Sequence, residues 1–240
     1  MRKVLVKFCG LRNETDVEYI NSAKPDFAGF VLSKSKRKIS LTELESLLKK
    51  LDNEIKSVGV FVDENIDFVI QAVQVGLDVV QLHGHEDKTY VSELKKCLNE
   101  KGLKSKIWKA IRLSDDNFEI DRLTNSSIKS STKNSTKSSI NTTGYDFPDN
   151  VDGFLIDKYS EKEAGGTGEK INLEVANNAI KSIRKNFPNR LIILAGGLNS
   201  KNVRSRAGIE ELDGVDVSSG IEIDGKKDFE QMIAFLDEIE

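Results

Sequence analysis

The stretch Leu191-Ile192-Ile193-Leu194-Ala195-Gly196-Gly197 runs an apolar strand straight into a paired-glycine turn, and Val215-Asp216-Val217-Ser218-Ser219-Gly220 does the same with serines. Such turns present backbone N–H groups, and in the second case two hydroxyls, at the carboxyl ends of strands, where an anion meets no Cβ. In an eight-stranded α/β barrel the loops after the last two strands are the usual phosphate site. Either turn alone reads better as a tight strand–helix connection. The pair, in this order and late in the chain, points to a barrel and to a phosphate.

Outward from these turns, short β-rich runs recur at 4–8, 27–32, 57–62, 78–82, 107–111, 153–156, 191–194 and 215–217, which makes eight strands. Between them the apolar period is that of a helix. One helix carries Leu44, Leu47, Leu48 and Leu51 behind a capping box of Ser40 and Glu43. Another carries Leu173, Ala176, Ile180 and Ile183, and the last carries Phe229, Met232, Ile233, Leu236 and Ile239. Repeated strand–helix alternation argues for parallel βα units, which a doubly wound open sheet shares. Eight units ending in paired glycine and serine turns favour the closed (β/α)8 TIM barrel, one domain over residues 1–240. Residues 124–143 break the pattern. They are almost wholly Ser, Thr, Asn and Lys, so they are expected to form a disordered insertion between strands five and six. Three Asn-X-Ser/Thr sequences within it follow from that composition.

With Lys+Arg 36 against Asp+Glu 39 and a net charge of −3, the chain has no cationic footprint for nucleic acid. No apolar run approaches the ~18 residues of a membrane span. Met1-Arg2-Lys3-Val4-Leu5-Val6-Lys7 leads directly into a strand rather than a signal peptide's apolar region, so a cytoplasmic protein is expected. The two cysteines, Cys9 and Cys97, are too few for a disulfide framework and lack metal-ligand spacing; no metal is expected. Cys97 shares a helical face with Val91 and Leu94 and reads as buried filler.

Residues two apart on a strand share a face. Leu5, Lys7 and Cys9 do so on the first strand, Val79, Gln81 and His83 on the fourth, Leu155 and Asp157 on the sixth, and Asp216 and Ser218 on the eighth. Each apolar strand thus gains polar groups toward its carboxyl end, all with one parity. Unpaired polar groups inside a core cost roughly 1–3 kcal/mol each, so four strands doing this together suggests convergence at the barrel mouth. Cys9 and Asp157 form a pair of contrasting acid–base character. A thiolate accepts a proton, Lys7 on the same face would lower the thiol's pKa, and a carboxyl at an apolar strand end can hold a proton to give. Cys9 also reads as a packed small hydrophobe, and Asp157 as a helix cap or a lysine's partner. His85 opens the polar run His85-Glu86-Asp87-Lys88 and is expected to be exposed. Lys34-Ser35-Lys36-Arg37-Lys38 follows the second strand; Arg37 could grip a carboxylate with both arms of its fork, or the run is a solvated basic loop. Ala164-Gly165-Gly166-Thr167-Gly168 reads as a mobile loop approaching a ligand by its backbone. No Walker-type lysine or dinucleotide fingerprint is present, which disfavours nucleotide chemistry.

Lys7-Phe8-Cys9-Gly10-Leu11, Gly29-Phe30-Val31, Lys34-Ser35-Lys36-Arg37-Lys38-Ile39-Ser40, Val58-Gly59-Val60-Phe61, Val80-Gln81-Leu82-His83-Gly84, Leu155-Ile156-Asp157, Gly165-Gly166-Thr167-Gly168, Ala195-Gly196-Gly197-Leu198 and Val215-Asp216-Val217-Ser218-Ser219-Gly220 occur in one order. In that order the chain resembles the phosphoribosylanthranilate isomerases over nearly its whole length apart from the insertion. The resemblance implies the Amadori rearrangement of N-(5-phosphoribosyl)anthranilate to 1-(2-carboxyphenylamino)-1-deoxyribulose 5-phosphate, the third step from chorismate to tryptophan, with no cofactor. It implies that Cys9 is the general base, Asp157 the general acid and Arg37 the grip on the anthranilate carboxylate. Gly197, Ser218, Ser219 and Gly220 would bind phosphate, and Gln81, His83 and Asp216 would line the pocket. The small-molecule substrate is the implied partner, to a monomer or a homodimer. Arg12 departs from the family's usual threonine, and Ile171-Asn172-Leu173 from its Phe-Asp-Trp. Two rivals share the barrel: the related isomerase of histidine synthesis, which uses two aspartates where this chain has Cys9 and Asp157, and a silent phosphosugar-binding regulator, which needs neither. Loop length enters closure entropy only logarithmically, so excising 124–143 with a short Gly-Ser bridge is expected to change kcat/KM by less than about threefold in a steady-state assay.

Overall fold

The structure, a computed structural model, describes residues 3–113, 150–158 and 172–239. The expected insertion at 124–143 and the glycine loop at 164–168 lie outside the described residues. Eight parallel strands close into a barrel in chain order: β1 (Leu5–Cys9), β2 (Phe27–Val31), β3 (Lys56–Phe61), β4 (Val79–Leu82), β5 (Lys106–Leu113), β6 (Gly153–Lys158), β7 (Leu191–Leu194) and β8 (Gly214–Val217). The seam is β8 on β1, in the register Leu5↔Gly214, Val6↔Val215, Lys7↔Asp216 and Phe8↔Val217. That pairing excludes the open sheet, whose first and last strands would not meet. All eight expected strands are present. β5 and β6 run two residues past their expected ends, which brings Arg112 and Asp157 into regular strand and opposite one another.

The period of two divides the core into two layers. Even positions of β3 and β5 and odd positions of β4, β6 and β7 face inward: Val58, Val79, Trp108, Ala110, Leu155, Ile193 and Ala195 fill the barrel interior, with Phe27 set edge-on to Trp108 at 4.9 Å between ring centroids.

 Within each strand the inward set keeps a single parity, and the register hands it on from neighbour to neighbour, as in Val58↔Val79 and Leu155↔Ile193. The intervening residues, among them Phe8, Phe30, Val80, Ile107, Phe154, Ile192 and Val215, face outward and are fully buried under the helices.

Those helices are α1 (Glu14–Ala23), α2 (Leu41–Leu48), α3 (Ile66–Val75), α4 (Lys88–Glu100), α5 (Leu173–Asn186), the short α6 (Val203–Ala207) and α7 (Phe229–Asp237). Before α7 comes a two-stranded hairpin, β9 (Glu222–Ile223) with β10 (Lys226–Lys227). The expected capping box starts α2: Ser40 Oγ accepts from the Glu43 N–H at 3.2 Å while Glu43 Oε2 accepts from the Ser40 N–H at 2.7 Å. Leu44 and Leu47 are buried beneath it. On α5 the buried stripe is Ala176, Ala179, Ile180 and Ile183. Leu173, expected on that stripe, is 39% exposed, because it opens the helix just after the Asn172 cap and the stripe begins one turn later. Ile239 falls past the end of α7 but still packs against the core. Cys97 is half-buried at the core's edge rather than enclosed.

One buried ion pair holds the carboxyl ends of β3 to β5 together. Lys109 Nζ on β5 meets Glu86 Oε2 at 3.0 Å and the Gly84 carbonyl at 2.7 Å, with both charged side chains almost wholly enclosed. Glu86 also accepts from the backbone N–H groups of Asp63 and Gly84. His85 is exposed as expected, whereas Glu86 beside it is buried. Removing one partner strands the other charge. Glu86→Ala is therefore expected to cost about 3–5 kcal/mol in urea unfolding, and Glu86→Leu combined with Lys109→Met to cost less than the two single changes added together.

Candidate active site

At the carboxyl end of the barrel one cavity is lined by Cys9, Gln81, His83, Asp157, Gly197, Asp216, Ser218 and Ser219, together with Val31, Val60, Lys34 and Ser35. Eight of the ten residues singled out from sequence therefore share one wall-to-wall space. Arg37 and Gly220 lie beside it instead. The barrel's own geometry explains the gathering: each lining side chain is the last or next-to-last inward position of its strand, or sits in the turn that follows.

The β1–β8 seam supplies the charged side. Lys7 is fully buried and its Nζ donates to Asp216 Oδ1 at 2.8 Å. Burial works against the ammonium, but the charge and hydrogen bond of Asp216, with a contribution from Cys9, outweigh it and raise the lysine's pKa. Cys9 stands next on the same inward face, 8% exposed. Burial pushes its thiol pKa up, and the nearby positive charges of Lys7 and Lys227 only partly oppose this, because the Asp216 carboxylate acts in the same sense as burial. The expectation that Lys7 would leave the thiol's pKa depressed is thus corrected: Lys7 does pull it down, but burial, helped by the Asp216 carboxylate, outweighs it.

Across the cavity a chain of three side chains runs from β4 to β6. Gln81 Nε2 lies 3.0 Å from His83 Nδ1, and His83 Nε2 lies 3.2 Å from Asp157 Oδ2. If the amide donates to Nδ1, the ring carries its proton on Nε2 and offers it to Asp157. Asp157 Oδ1 accepts from the Lys158 N–H at 2.8 Å. Gln81 Oε1 is buried without a hydrogen-bond partner among the described residues, an acceptor available to a ligand. Arg112, inward on β5, donates to the His83 carbonyl. Its position was hidden in the sequence because the strand was expected to stop at Ile111.

The glycine turn after β7 and the serine turn after β8 meet here. Gly196 and Gly197 both have positive φ, 91° and 64°, which side chains rarely tolerate. A Cβ on Gly220 would overlap the Leu198 carbonyl, so glycine there lets the β8 turn press against the β7 turn. Ser218 Oγ donates to the Cys9 carbonyl at 3.0 Å and ties the β8 turn to the end of β1.

Comparison with known proteins fixes the family. A sequence model described as N-(5'-phosphoribosyl)anthranilate (PRA) isomerase matches residues 6–126 and 115–238. The chain belongs to this family. It is 38% identical over 237 residues to the N-(5'-phosphoribosyl)anthranilate isomerase of Thermoanaerobacter sp. (strain X514), covering 98% of each chain. With that of Acetivibrio thermocellus it shares 39% over 236 residues, 96% of this chain and 93% of the other. Among solved structures it is similar to the phosphoribosyl anthranilate isomerase of Thermotoga maritima, with a TM-score of 0.73 at 28% identity and 98% of each chain covered. A phosphoribosyl anthranilate isomerase in complex with reduced 1-(o-carboxyphenylamino)-1-deoxyribulose 5-phosphate gives a TM-score of 0.69 at 27% identity, again over 98% of each chain.

Within the phosphoribosylanthranilate isomerase pattern, Arg12 has a local reason to depart. Its guanidinium donates to the Gly225 carbonyl at 2.6 Å at the tip of the β9–β10 hairpin, and its N–H to Asp16 Oδ2 at 2.7 Å. Among the described residues no group of His, Cys, Asp and Glu has the arrangement of a metal site.

Thiol alkylation reads the Cys9 environment directly, since its rate follows the thiolate fraction. In a Cys97→Ser background, iodoacetamide labelling of Cys9 is expected to show a midpoint above that of an unfolded cysteine. Lys7→Met removes a charge that favours thiolate and should slow labelling at pH 8 by about threefold or more. Asp216→Asn removes a charge that opposes thiolate and should speed it. A midpoint unchanged in both variants would contradict this electrostatic assignment.

Proposed function

We propose that the chain catalyses the Amadori rearrangement of N-(5-phosphoribosyl)anthranilate to 1-(2-carboxyphenylamino)-1-deoxyribulose 5-phosphate, the isomerisation step of tryptophan synthesis, with Asp157 as general acid and Cys9 as general base. The observation that carries the residue roles is that a thiol from β1 and a carboxyl from β6 line one cavity, next to the serine turn. Family membership carries the reaction.

The substrate has an anion at each end. Its phosphate would sit on the backbone N–H groups of the Gly197 turn and the Ser218–Gly220 turn, and its carboxylate toward Arg37. Asp157 then gives a proton to the ribose ring oxygen as the ring C–O bond breaks, leaving a protonated Schiff base at C1′. That cation acidifies C2′, and the Cys9 thiolate removes the C2′ proton to form an enolamine, which tautomerises to the ketone. A thiolate whose pKa is raised is scarcer but also a stronger base. Lys7 offsets part of the scarcity, and its bond to Asp216 keeps it aimed at the thiol's side of the seam. His83 would donate its Nε2–H to the Asp157 carboxylate as the acid loses its proton, with Gln81 fixing its ring.

All proposed site residues come from one chain, so a monomer or a homodimer would serve, and the biosynthetic role points to the cytoplasm. No helix among the described residues is long and apolar enough to cross a membrane. Cys9→Ser and Asp157→Asn are each expected to lower kcat by at least about a hundredfold, the usual scale for a positioned acid or base. Both should bind the reduced product analogue within a few-fold of the parent protein. The double variant should lose less than the product of the two effects, since residues acting as a unit are not additive. Normal turnover by either single variant in a steady-state assay would remove that residue from the mechanism.

A further inference from the structure

The β9–β10 hairpin takes no part in the barrel, yet it sends two nearly enclosed charges to the cavity's edge. Glu222 receives Arg37 Nε on Oε1 and Arg37 Nη2 on Oε2, both at 2.8 Å. Lys227 Nζ donates to the same Oε1 at 2.8 Å and to the Ser218 carbonyl at 2.9 Å. Arg37 is the one buried cation in a run whose neighbours Lys34, Lys36 and Lys38 are exposed. Its side chain crosses the end of β1, where a Cβ on Gly10 would overlap Arg37 Cδ. Arg12 fastens the hairpin tip through the Gly225 carbonyl. The hairpin, the loop after β2 and the serine turn after β8 are thereby joined by one set of charged hydrogen bonds.

A guanidinium at the end of a long side chain selects a planar carboxylate only if its own plane is held. Two parallel N–H···O bonds to one carboxylate hold it. We infer that Glu222 is a positioning residue that orients Arg37 for the substrate's aromatic carboxylate, and that Lys227 ties this grip to the phosphate turn at Ser218. The inference rests on the assignment of Arg37 made under the proposed function. The spacing between the substrate's two anions would then be set by side chains of a six-residue segment outside the barrel, from Glu222 to Lys227. Burial pushes the Glu222 carboxyl up, but Arg37 and Lys227 outweigh it and hold its pKa down, at about 2, so the clamp stays charged throughout ordinary assay conditions.

The test compares two probes by calorimetry: reduced 1-(o-carboxyphenylamino)-1-deoxyribulose 5-phosphate and the same molecule without its carboxylate. Glu222→Gln keeps the size but leaves one acceptor oxygen for three donors. It is expected to weaken the carboxylated probe by about tenfold or more and the other by less than about twofold, with KM raised far more than kcat is lowered. Glu222→Asp, which keeps the charge, should recover part of the loss, and supplies the same comparison if the glutamine variant folds poorly. Equal weakening of both probes, or of neither, would overturn the inference. Arg37→Ala separates the two levels of failure. Selective loss in Arg37→Ala without selective loss in the Glu222 variants overturns the role of Glu222 alone. Unselective behaviour of Arg37→Ala overturns the carboxylate assignment, and this inference with it.

Discussion

The Lys7–Asp216 pair sits at the seam where the last strand meets the first, and the site's layout depends on that closure. Their backbones pair across β1 and β8, and their side chains meet inside the barrel at 2.8 Å. A buried pair of this kind is poor evidence for stability, because removing two charges from water offsets much of their attraction. Its consequence is electrostatic. Lys7 and Asp216 act on Cys9 in opposite senses, so the thiol feels the balance of the pair more than either charge alone.

The rest of the site follows from one geometric rule. In a closed parallel barrel every strand sends alternate residues to a shared interior, and only the upper end of that interior is open. Apolar side chains, among them Trp108 with Phe27 packed edge-on against it, fill the space below. Polar side chains therefore collect where the strands end, and they pair with what faces them: Gln81 with His83, His83 with Asp157, Lys7 with Asp216. The turns after β7 and β8 complete the ring, brought into contact by a glycine that gives the neighbouring carbonyl room.

This rule is why so much was legible beforehand. Strand parity is a local property, and Cys9, Gln81, His83, Asp157, Asp216 and Ser218 could be sorted to one face without knowing any contact. The two-residue extension of β5 was not legible, since Arg112 is a polar residue at a strand end and reads as the start of a loop. Neither were the long-range charge pairs. Arg37 and Glu222 lie 185 positions apart, and their meeting depends on closure bringing the loop after β2 near the segment after β8. The burial of Glu86, inside a run of polar residues, was not legible either, because only the fold brings Lys109 to it. The sign of the net effect on the Cys9 thiol was likewise out of reach, because burial and the Asp216 charge are properties of the packed barrel.

The central claim is that the substrate lies with its phosphate on the two turns and its C2′ at the thiol. The most direct measurement is a crystal structure of this chain with reduced 1-(o-carboxyphenylamino)-1-deoxyribulose 5-phosphate bound. The account predicts phosphate oxygens on the Gly197 and Ser218–Gly220 turns, Asp157 beside the position of the ring oxygen, and C2′ within about 3.5–4 Å of Cys9 Sγ, the range of a near-attack arrangement. A ligand bound in the reverse sense, or with C2′ well removed from Cys9, would contradict it.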